Sequence, residues 1–140
     1  MKGGKAGLLV LISLCIGSAL PVRADFDKGQ EAYLMKDYAR AMQEYKNDDD
    51  PKAMYQVGYM YDHGEGVDQD IKEAAQWYLK AAEKGNARAQ YRVGLLYATG
   101  SGVDKDLKEA AKWYKKASFQ GFLPAREALK RLEKNNQISK

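Results

Sequence analysis

Residues 53–85 read AMYQVGYMYDHGEGVDQDIKEAAQWYLKAAEKG, and residues 89–121, which lie 36 positions further along, read AQYRVGLLYATGSGVDKDLKEAAKWYKKASFQG. Within this 36-residue period, 19 positions are identical between the two copies. Self-similarity at a period of about 20 to 50 residues is typical of stacked repeats, in which each unit buries its apolar face against the next. The stretch therefore predicts a stacked-repeat architecture.

The N-terminus has the features of a secretory signal. Lys2 and Lys5 precede an apolar run of 13 residues from Leu8 to Leu20, and small residues around Ala24 form a cleavage site. This run is too short to span a bilayer, which needs about 20 residues. We expect cleavage after Ala24, with Ala19 as the second choice, no transmembrane segment in the mature chain, and a periplasmic or secreted location.

The single cysteine, Cys15, lies inside the predicted signal peptide. Attachment of a lipid at Cys15 is the weaker alternative, because bulky Leu14 precedes it. The mature chain then begins at Asp25 and has no cysteine, so disulfides and thiol chemistry play no part in it.

Charge is unevenly distributed along the mature chain. Residues 25–104 carry ten basic and fifteen acidic side chains, whereas residues 105–140 carry ten basic and four acidic ones. The mature net charge is only +1, so the high isoelectric point does not indicate nucleic-acid binding. The two halves are either differently composed solvated faces, or the basic end serves an acidic partner or surface.

The remaining chain divides into repeat-like units. We predict a signal peptide at 1–24, a degenerate N-terminal helical pair at 25–52, repeat 1 at 53–88, repeat 2 at 89–124, a capping helix at 125–134 and a frayed tail at 135–140.

Helix signals recur in both copies. Asp50 and Pro51 are typical of a helix start, and Gly64 of a left-handed helix end. Asp70 and Glu73 resemble a capping box. Gly58 interrupts an apolar helical stripe at a cost of about 1 kcal/mol relative to alanine, so its recurrence as Gly94 predicts a close helix contact there.

At these residues the chain resembles the SEL-one-like repeat family, a relative of the tetratricopeptide repeats. The first copy carries the family pattern, and the second departs from it where Ser118 replaces Ala82: the matching residues are Ala53, Val57, Gly58, Tyr61, Gly64, Gly66, Val67, Asp70, Trp77, Tyr78, Lys80, Ala81, Ala82 and Gly85. The resemblance implies an all-α fold, a right-handed α-α superhelix (solenoid) of antiparallel helix pairs. It also implies first helices lining a concave groove, and an adaptor role without chemistry.

The sequence offers little evidence for a catalytic site or a metal site. His63 is the only histidine and is expected to end a helix, so no Ser–His or Cys–His arrangement can form. Asp48, Asp49 and Asp50 could suggest a metal, but adjacent side chains diverge. The segment from Asp62 to Glu73 has the length of a calcium loop but carries glycines at ligand positions. We expect no enzyme activity, no cofactor and no metal.

If the first helices line a groove, as the resemblance implies, the residues opposite the apolar stripe face a partner. The candidate partner-binding residues are Tyr55, Tyr59, Arg88, Tyr91, Arg92 and Leu95. Tyrosine and arginine are enriched at binding hot spots. The alternative is that the aromatic rings only pack against flanking helices, and this applies most to Tyr55 and Tyr91, which recur in both copies.

The sequence therefore predicts an exported, non-catalytic module that binds a protein or peptide segment in the groove. Tyr59 and Leu95 would desolvate the partner, and Arg88 and Arg92 would orient its acidic groups. Two other functions stay open. The basic end could bind another copy of the chain or an anionic envelope polymer, or the protein could be an enzyme or an enzyme inhibitor.

Overall fold

The structure, a computed structural model, describes residues 24–135. These residues form seven α-helices and no strand: α1 (Ala24–Leu34), α2 (Tyr38–Asn47), α3 (Pro51–His63), α4 (Ile71–Glu83), α5 (Ala87–Thr99), α6 (Leu107–Phe119) and α7 (Leu123–Lys134). Residues 1–23 of the predicted signal peptide and residues 136–140 of the predicted tail lie outside the described residues. The predicted capping helix is present as α7, which begins at Leu123 with Pro124 in its first turn.

The helices stack as antiparallel pairs, each packed against its neighbours in sequence. Three apolar clusters follow one another along the stack: one between α1, α2 and α3, one from α3 to α6, and one between α5, α6 and α7. A core built from neighbour contacts alone is what defines a solenoid. The predicted all-α solenoid of helix pairs is confirmed.

A glycine of the first helix meets a tyrosine of the second in every pair. A Cβ atom placed on Gly58 would lie 2.7 Å from Cδ1 of Tyr78, and one placed on Gly94 would lie 2.5 Å from Cδ1 of Tyr114. Gly29 makes the same approach to Tyr45, at 2.6 Å. The predicted close contacts are confirmed, and the degenerate first pair uses the same packing.

The predicted helix boundaries also form. The Asp50 side chain accepts a hydrogen bond from the backbone N–H of Lys52, and Asp70 accepts two at the start of α4. Asp106 repeats the Asp70 arrangement at the start of α6. Gly64 ends α3 in the left-handed region at φ 67°, a backbone conformation that costs glycine little.

The second glycine of each interhelical loop joins neighbouring pairs. A Cβ on Gly66 would lie 2.3 Å from Cβ of Tyr38, at the start of α2. A Cβ on Gly102 would lie 2.7 Å from the carbonyl oxygen of Ile71, at the start of α4. These glycines therefore allow each loop to dock on the preceding second helix, a role beyond the turn that the sequence indicates.

Candidate binding groove

A groove of about 630 Å³ crosses the first helices near their N-terminal ends. Its lining comes from α1, α3, α5, the α4–α5 turn and the residue that precedes α7: Phe26, Gln30, Pro51, Lys52, Tyr55, Gln56, Lys84, Gly85, Asn86, Ala87, Arg88 and Phe122. Because the pairs stack in register, equivalent positions of successive first helices form one continuous surface. This surface has the size of a typical ligand-binding cleft.

Three aromatic rings line the groove, and each packs on the ring of a tyrosine: two of these tyrosines are buried in the core and the third is half-buried. The ring centroid of Phe26 lies 5.7 Å from that of Tyr45, and the Tyr55 centroid lies 5.4 Å from that of Tyr78. Phe122 lies 5.5 Å from Tyr91. Offset and tilted ring pairs at such distances are favourable. The groove thus presents apolar area that is already ordered before a partner binds.

The charged side chains that line the groove are all cationic. Lys84 forms an ion pair with Asp49 at 2.6 Å and is partly neutralised. Lys52 and Arg88 are exposed and form no ion pair among the described residues. The positive ends of the α3 and α5 dipoles lie at the same place. The groove therefore favours carboxylates.

The turns that border the groove are tied together across repeats. Lys84 Nζ donates to the carbonyl oxygen of Asp49 at 3.3 Å, and Gln120 Nε2 donates to that of Gly85 at 2.9 Å. These two donors occupy equivalent positions of the two repeats. Gln90, the buried polar side chain of the core, joins Gln120 at 2.8 Å. These contacts fix the spacing of the helix ends, and the sequence analysis missed them because Lys84 and Gln120 are different residue types.

Of the six predicted partner-binding residues, Tyr55 and Arg88 line this groove. Tyr59 lies further along α3, where its ring stacks on that of His63 with centroids 3.9 Å apart. Tyr91 and Leu95 pack against the cluster of α6 and α7. The groove therefore lies nearer the helix starts than Tyr59, Tyr91 and Leu95, because periodicity indicates the face of a helix and not the position along its axis.

Arg92 takes part in a network within the chain. Its Nη1 lies 3.9 Å from Oδ2 of Asp62, and this oxygen accepts a hydrogen bond of 3.1 Å from the hydroxyl of Tyr78. Burial by itself would lower the pKa of Arg92. Interactions with Tyr78, Tyr55 and Asp62 outweigh this effect, so the pKa of Arg92 is raised. Burial, followed by the Asp62 charge, raises the pKa of Tyr78. Arg92 therefore stays charged, and its main role is in the packing between the two repeats.

Phe26, Phe122 and Gln30 are groove residues that the sequence analysis did not propose. Phe26 and Gln30 belong to the degenerate pair, and Phe122 follows the second repeat, so none recurs with the 36-residue period. A difference between the two copies could have indicated Phe122, because it replaces the Asn86 of the first copy. The Asn86 side chain caps α5 by accepting a hydrogen bond of 3.0 Å from the backbone N–H of Ala89. Phe122 makes no such side-chain cap on α7.

Each of the aspartates at 48–50 makes a contact within the chain. Asp48 Oδ1 accepts from the backbone N–H of Asp50 at 2.9 Å, Asp49 pairs with Lys84, and Asp50 caps α3. Among residues 24–135, no group of three or more histidine, cysteine, aspartate or glutamate side chains could hold a metal ion. No helix in that part of the chain is long and apolar enough to cross a membrane.

Fold and groove together define an α-helical repeat protein of the kind that binds partners on a stacked surface. The Sel1 repeat family model matches residues 51–86 and 87–122, just over half of the chain. The chain belongs to the Sel1 repeat family. The two matched units begin at Pro51 and Ala87, where α3 and α5 begin.

Solved structures of similar proteins carry the same fold. A Sel1 repeat protein from Oxalobacter formigenes is 41% identical at a TM-score of 0.73, covering 76% of this chain and 45% of that one. A protective antigen present in uropathogenic Escherichia coli strains is 32% identical at a TM-score of 0.72, covering 77% of this chain and 25% of that one. Cysteine rich protein B of Helicobacter pylori is 21% identical at a TM-score of 0.61, over 76% of this chain and 97% of that one, a likeness of fold alone.

A curated relative matches a shorter stretch. The chitin synthase regulator SKT5 of Saccharomyces cerevisiae is 45% identical over 38 residues, which are 27% of this chain and 6% of that protein. The chain thus spans less than half the length of the first two structures and a small fraction of the regulator. Sel1 repeat proteins are generally non-enzymatic scaffolds for protein interaction.

Proposed function

We propose that this protein is an exported binding module of the bacterial envelope, and that its groove holds an extended segment of a partner protein. The groove itself supports this most directly. It combines three aromatic rings, each packed on a tyrosine, with Lys52, Lys84 and Arg88. Export rests on the signal-like residues 1–24. A relative described as a protective antigen supports a location outside the cytoplasm.

The lining indicates the chemistry of the bound segment. Rings that are already packed contribute apolar contact area at little cost in side-chain entropy, and so favour an apolar or aromatic anchor. Lys52 and Arg88 lie beside them without an ion pair among the described residues, and so favour a carboxylate next to that anchor. The partner segment therefore carries an acidic group adjacent to a large apolar side chain.

Photo-crosslinking tests where the partner binds. We expect a photo-reactive amino acid at Gln56, inside the groove, to capture one dominant protein from the native envelope fraction. The same group at Gln76 of α4, which lines a separate cleft and not the groove, is the matched control and is expected to capture none. Equal labelling from both positions would contradict the groove as the binding site.

Charge reversal tests the chemistry of the groove. We expect the double change Lys52→Glu and Arg88→Glu to weaken binding of the captured partner at least about tenfold, because both charges then repel the acidic segment. Lys72→Glu with Lys105→Glu makes the same charge change outside the groove and serves as control. Both lysine changes leave the core untouched, so circular dichroism is expected to be unchanged. Equal affinities of the two double variants would contradict the proposal.

Export has its own test. We expect the full sequence, expressed in a Gram-negative host, to yield periplasmic protein whose N-terminal residue is Asp25. Ala24→Glu is expected to block this cleavage, because signal peptidase requires a small residue at that place. N-terminal sequencing and intact mass distinguish the products. Uncleaved wild-type protein confined to the cytoplasm would rule out export.

A further inference from the structure

The solvent face of α6 carries a row of lysines that ends in an aromatic ring. Lys108, Lys112, Lys115 and Phe119 recur at helical spacing on this face, and all four are exposed. The exposed fraction of Phe119 is 80%, and that of Leu123, across the tight turn to α7, is 64%. We call these five residues the lysine face. They are independent of the groove lining.

The first repeat is an internal control for this surface. Its equivalent positions hold Lys72, Gln76, Leu79, Glu83 and Ala87. The fold therefore forms with a single lysine on this face and with a carboxylate and a methyl group at the turn. The change from Glu83 to Phe119 and from Ala87 to Leu123 adds exposed apolar area that the helix pair does not require.

Capping of the solenoid explains only part of this difference. In the first repeat, Leu79 borders an apolar cleft beneath the next pair, whereas Lys115 faces the open end of the stack. A polar residue at the open end keeps the terminal repeat soluble. The same requirement would favour a polar residue at position 119, where the chain has an exposed phenylalanine. Phe119 and Leu123 therefore call for a different explanation.

We propose that the lysine face binds the surface of an anionic phospholipid bilayer. The three lysines lie along a line of roughly 10 Å on one face of a straight helix, and Phe119 extends this line to roughly 16 Å, which matches a flat charged surface. Basic side chains attract anionic headgroups, while exposed large apolar side chains enter the boundary between headgroups and acyl chains. Lys115 Nζ lies 5.8 Å from the Phe119 ring centroid, so charge and ring reach the surface together.

The carboxylates near this face include Asp106, which caps α6, and two that form ion pairs. Glu109 is the only acidic residue of α6 and forms an ion pair with Lys112, and Glu127 of α7 pairs with Lys130. Lys108 and Lys115 form no ion pair among the described residues. These two lysines are therefore not engaged by a carboxylate among the described residues and can contact an anionic surface.

A second copy of the chain fits this face less well. Stacking end to end would place the lysine face against the N-terminal pair, but residues 26–47 carry four acidic and four basic side chains. The acidic excess of the chain lies at 48–50 and 62–73, in the α2–α3 connection and around the α3–α4 loop. Charge complementarity therefore favours a bilayer over the end of another copy.

Vesicle binding tests the proposal, with protein that begins at residue 25. We expect binding to phosphatidylcholine vesicles that contain phosphatidylglycerol, none to phosphatidylcholine alone, and loss of binding at high salt. Lys108→Gln with Lys115→Gln is expected to weaken binding about thirtyfold, since each lysine near an anionic surface contributes roughly fivefold. Phe119→Glu with Leu123→Ala restores the residues of the first repeat and is expected to weaken binding more than about tenfold.

The control is Lys36→Gln with Lys72→Gln, which removes the same charge elsewhere and should bind like the unmodified protein. Three results would each overturn the proposal: no binding to the anionic vesicles at low salt, equal binding of the control and lysine-face variants, or binding to a soluble polyanion without binding to vesicles. The last result would identify an acidic polymer or protein as the ligand. Far-ultraviolet circular dichroism of every variant checks that the helices are retained.

Discussion

Tyr78→Ala is expected to reduce the free energy of unfolding by about 3 to 5 kcal/mol, the range for removing a large ring from a core. Tyr78 is fully buried, its ring covers Gly58, and its hydroxyl donates to Asp62 at 3.1 Å. The total free energy of unfolding of a small domain is only about 5 to 15 kcal/mol. Urea unfolding followed by circular dichroism would therefore show most of the stability lost.

Tyr78→Phe separates the ring from the hydroxyl. This variant keeps the packing and loses one hydrogen bond, so we expect a loss of about 0.5 to 1.5 kcal/mol. A loss of similar size in both variants would mean that the Asp62 network, and not the ring, determines the stability of this pair.

Gly94→Ala is expected to destabilise the protein by about 1 to 3 kcal/mol, although alanine is the better helix former by about 1 kcal/mol. The physical reason is space: the added Cβ would lie 2.5 Å from both Cδ1 and Cε1 of Tyr114. Tyr114 is itself buried in the cluster of α6 and α7, so its ring cannot move away freely. The sign of the effect, measured by chemical unfolding, therefore distinguishes steric contact from helix propensity.

A double-mutant cycle with Tyr114→Ala provides the control. Without the ring the steric conflict disappears, and Gly94→Ala should then stabilise the protein by about 1 kcal/mol through helix propensity alone. If Gly94→Ala has the same sign and size in both backgrounds, the close approach of the two helices is not what selects glycine.

These contacts explain why several predicted binding residues are also structural. Burial, with a smaller contribution from Tyr91, raises the pKa of Tyr114 to about 12, so its hydroxyl stays protonated in the physiological range. Tyr91 and Leu95 pack on the same cluster, and Arg92 joins Asp62 and Tyr78. Substituting them would change packing and binding together. Lys52 and Arg88, exposed at the groove, test binding alone.

The repeat motif also places a lysine over a tryptophan ring on the second helix of each repeat. Lys80 Nζ lies 4.3 Å from the ring centroid of Trp77, and Lys116 Nζ lies 4.0 Å from that of Trp113. Cations over aromatic faces at such distances are attracted to the ring. Each of these motif lysines therefore has an aromatic partner within its own repeat unit, which residue type alone does not reveal.

The sequence by itself determined the repeat, the helix pairs, their caps and the close helix contact at the recurring glycine, whereas the structure identified tyrosine as its partner. These features are encoded within one unit: Asp70 caps its own helix, Gly64 ends its own helix, and Gly58 meets Tyr78 only 20 positions away. Local signals of this kind recur with every copy, so the periodicity makes them visible. The exported, protein-binding role follows from the sequence as a proposal.

Only the tertiary structure decided where the groove lies and which residues border it. Phe26, Lys52, Arg88 and Phe122 come from four different helix starts, and among them only Lys52 and Arg88 occupy equivalent positions of the repeat. They meet because turn-to-turn hydrogen bonds hold successive pairs in register, through donors as different as Lys84 and Gln120. This surface forms where repeat units stack side by side, so its composition depends on how the units are placed against each other. The repeat pattern within one unit does not indicate which non-equivalent side chains this stacking brings together.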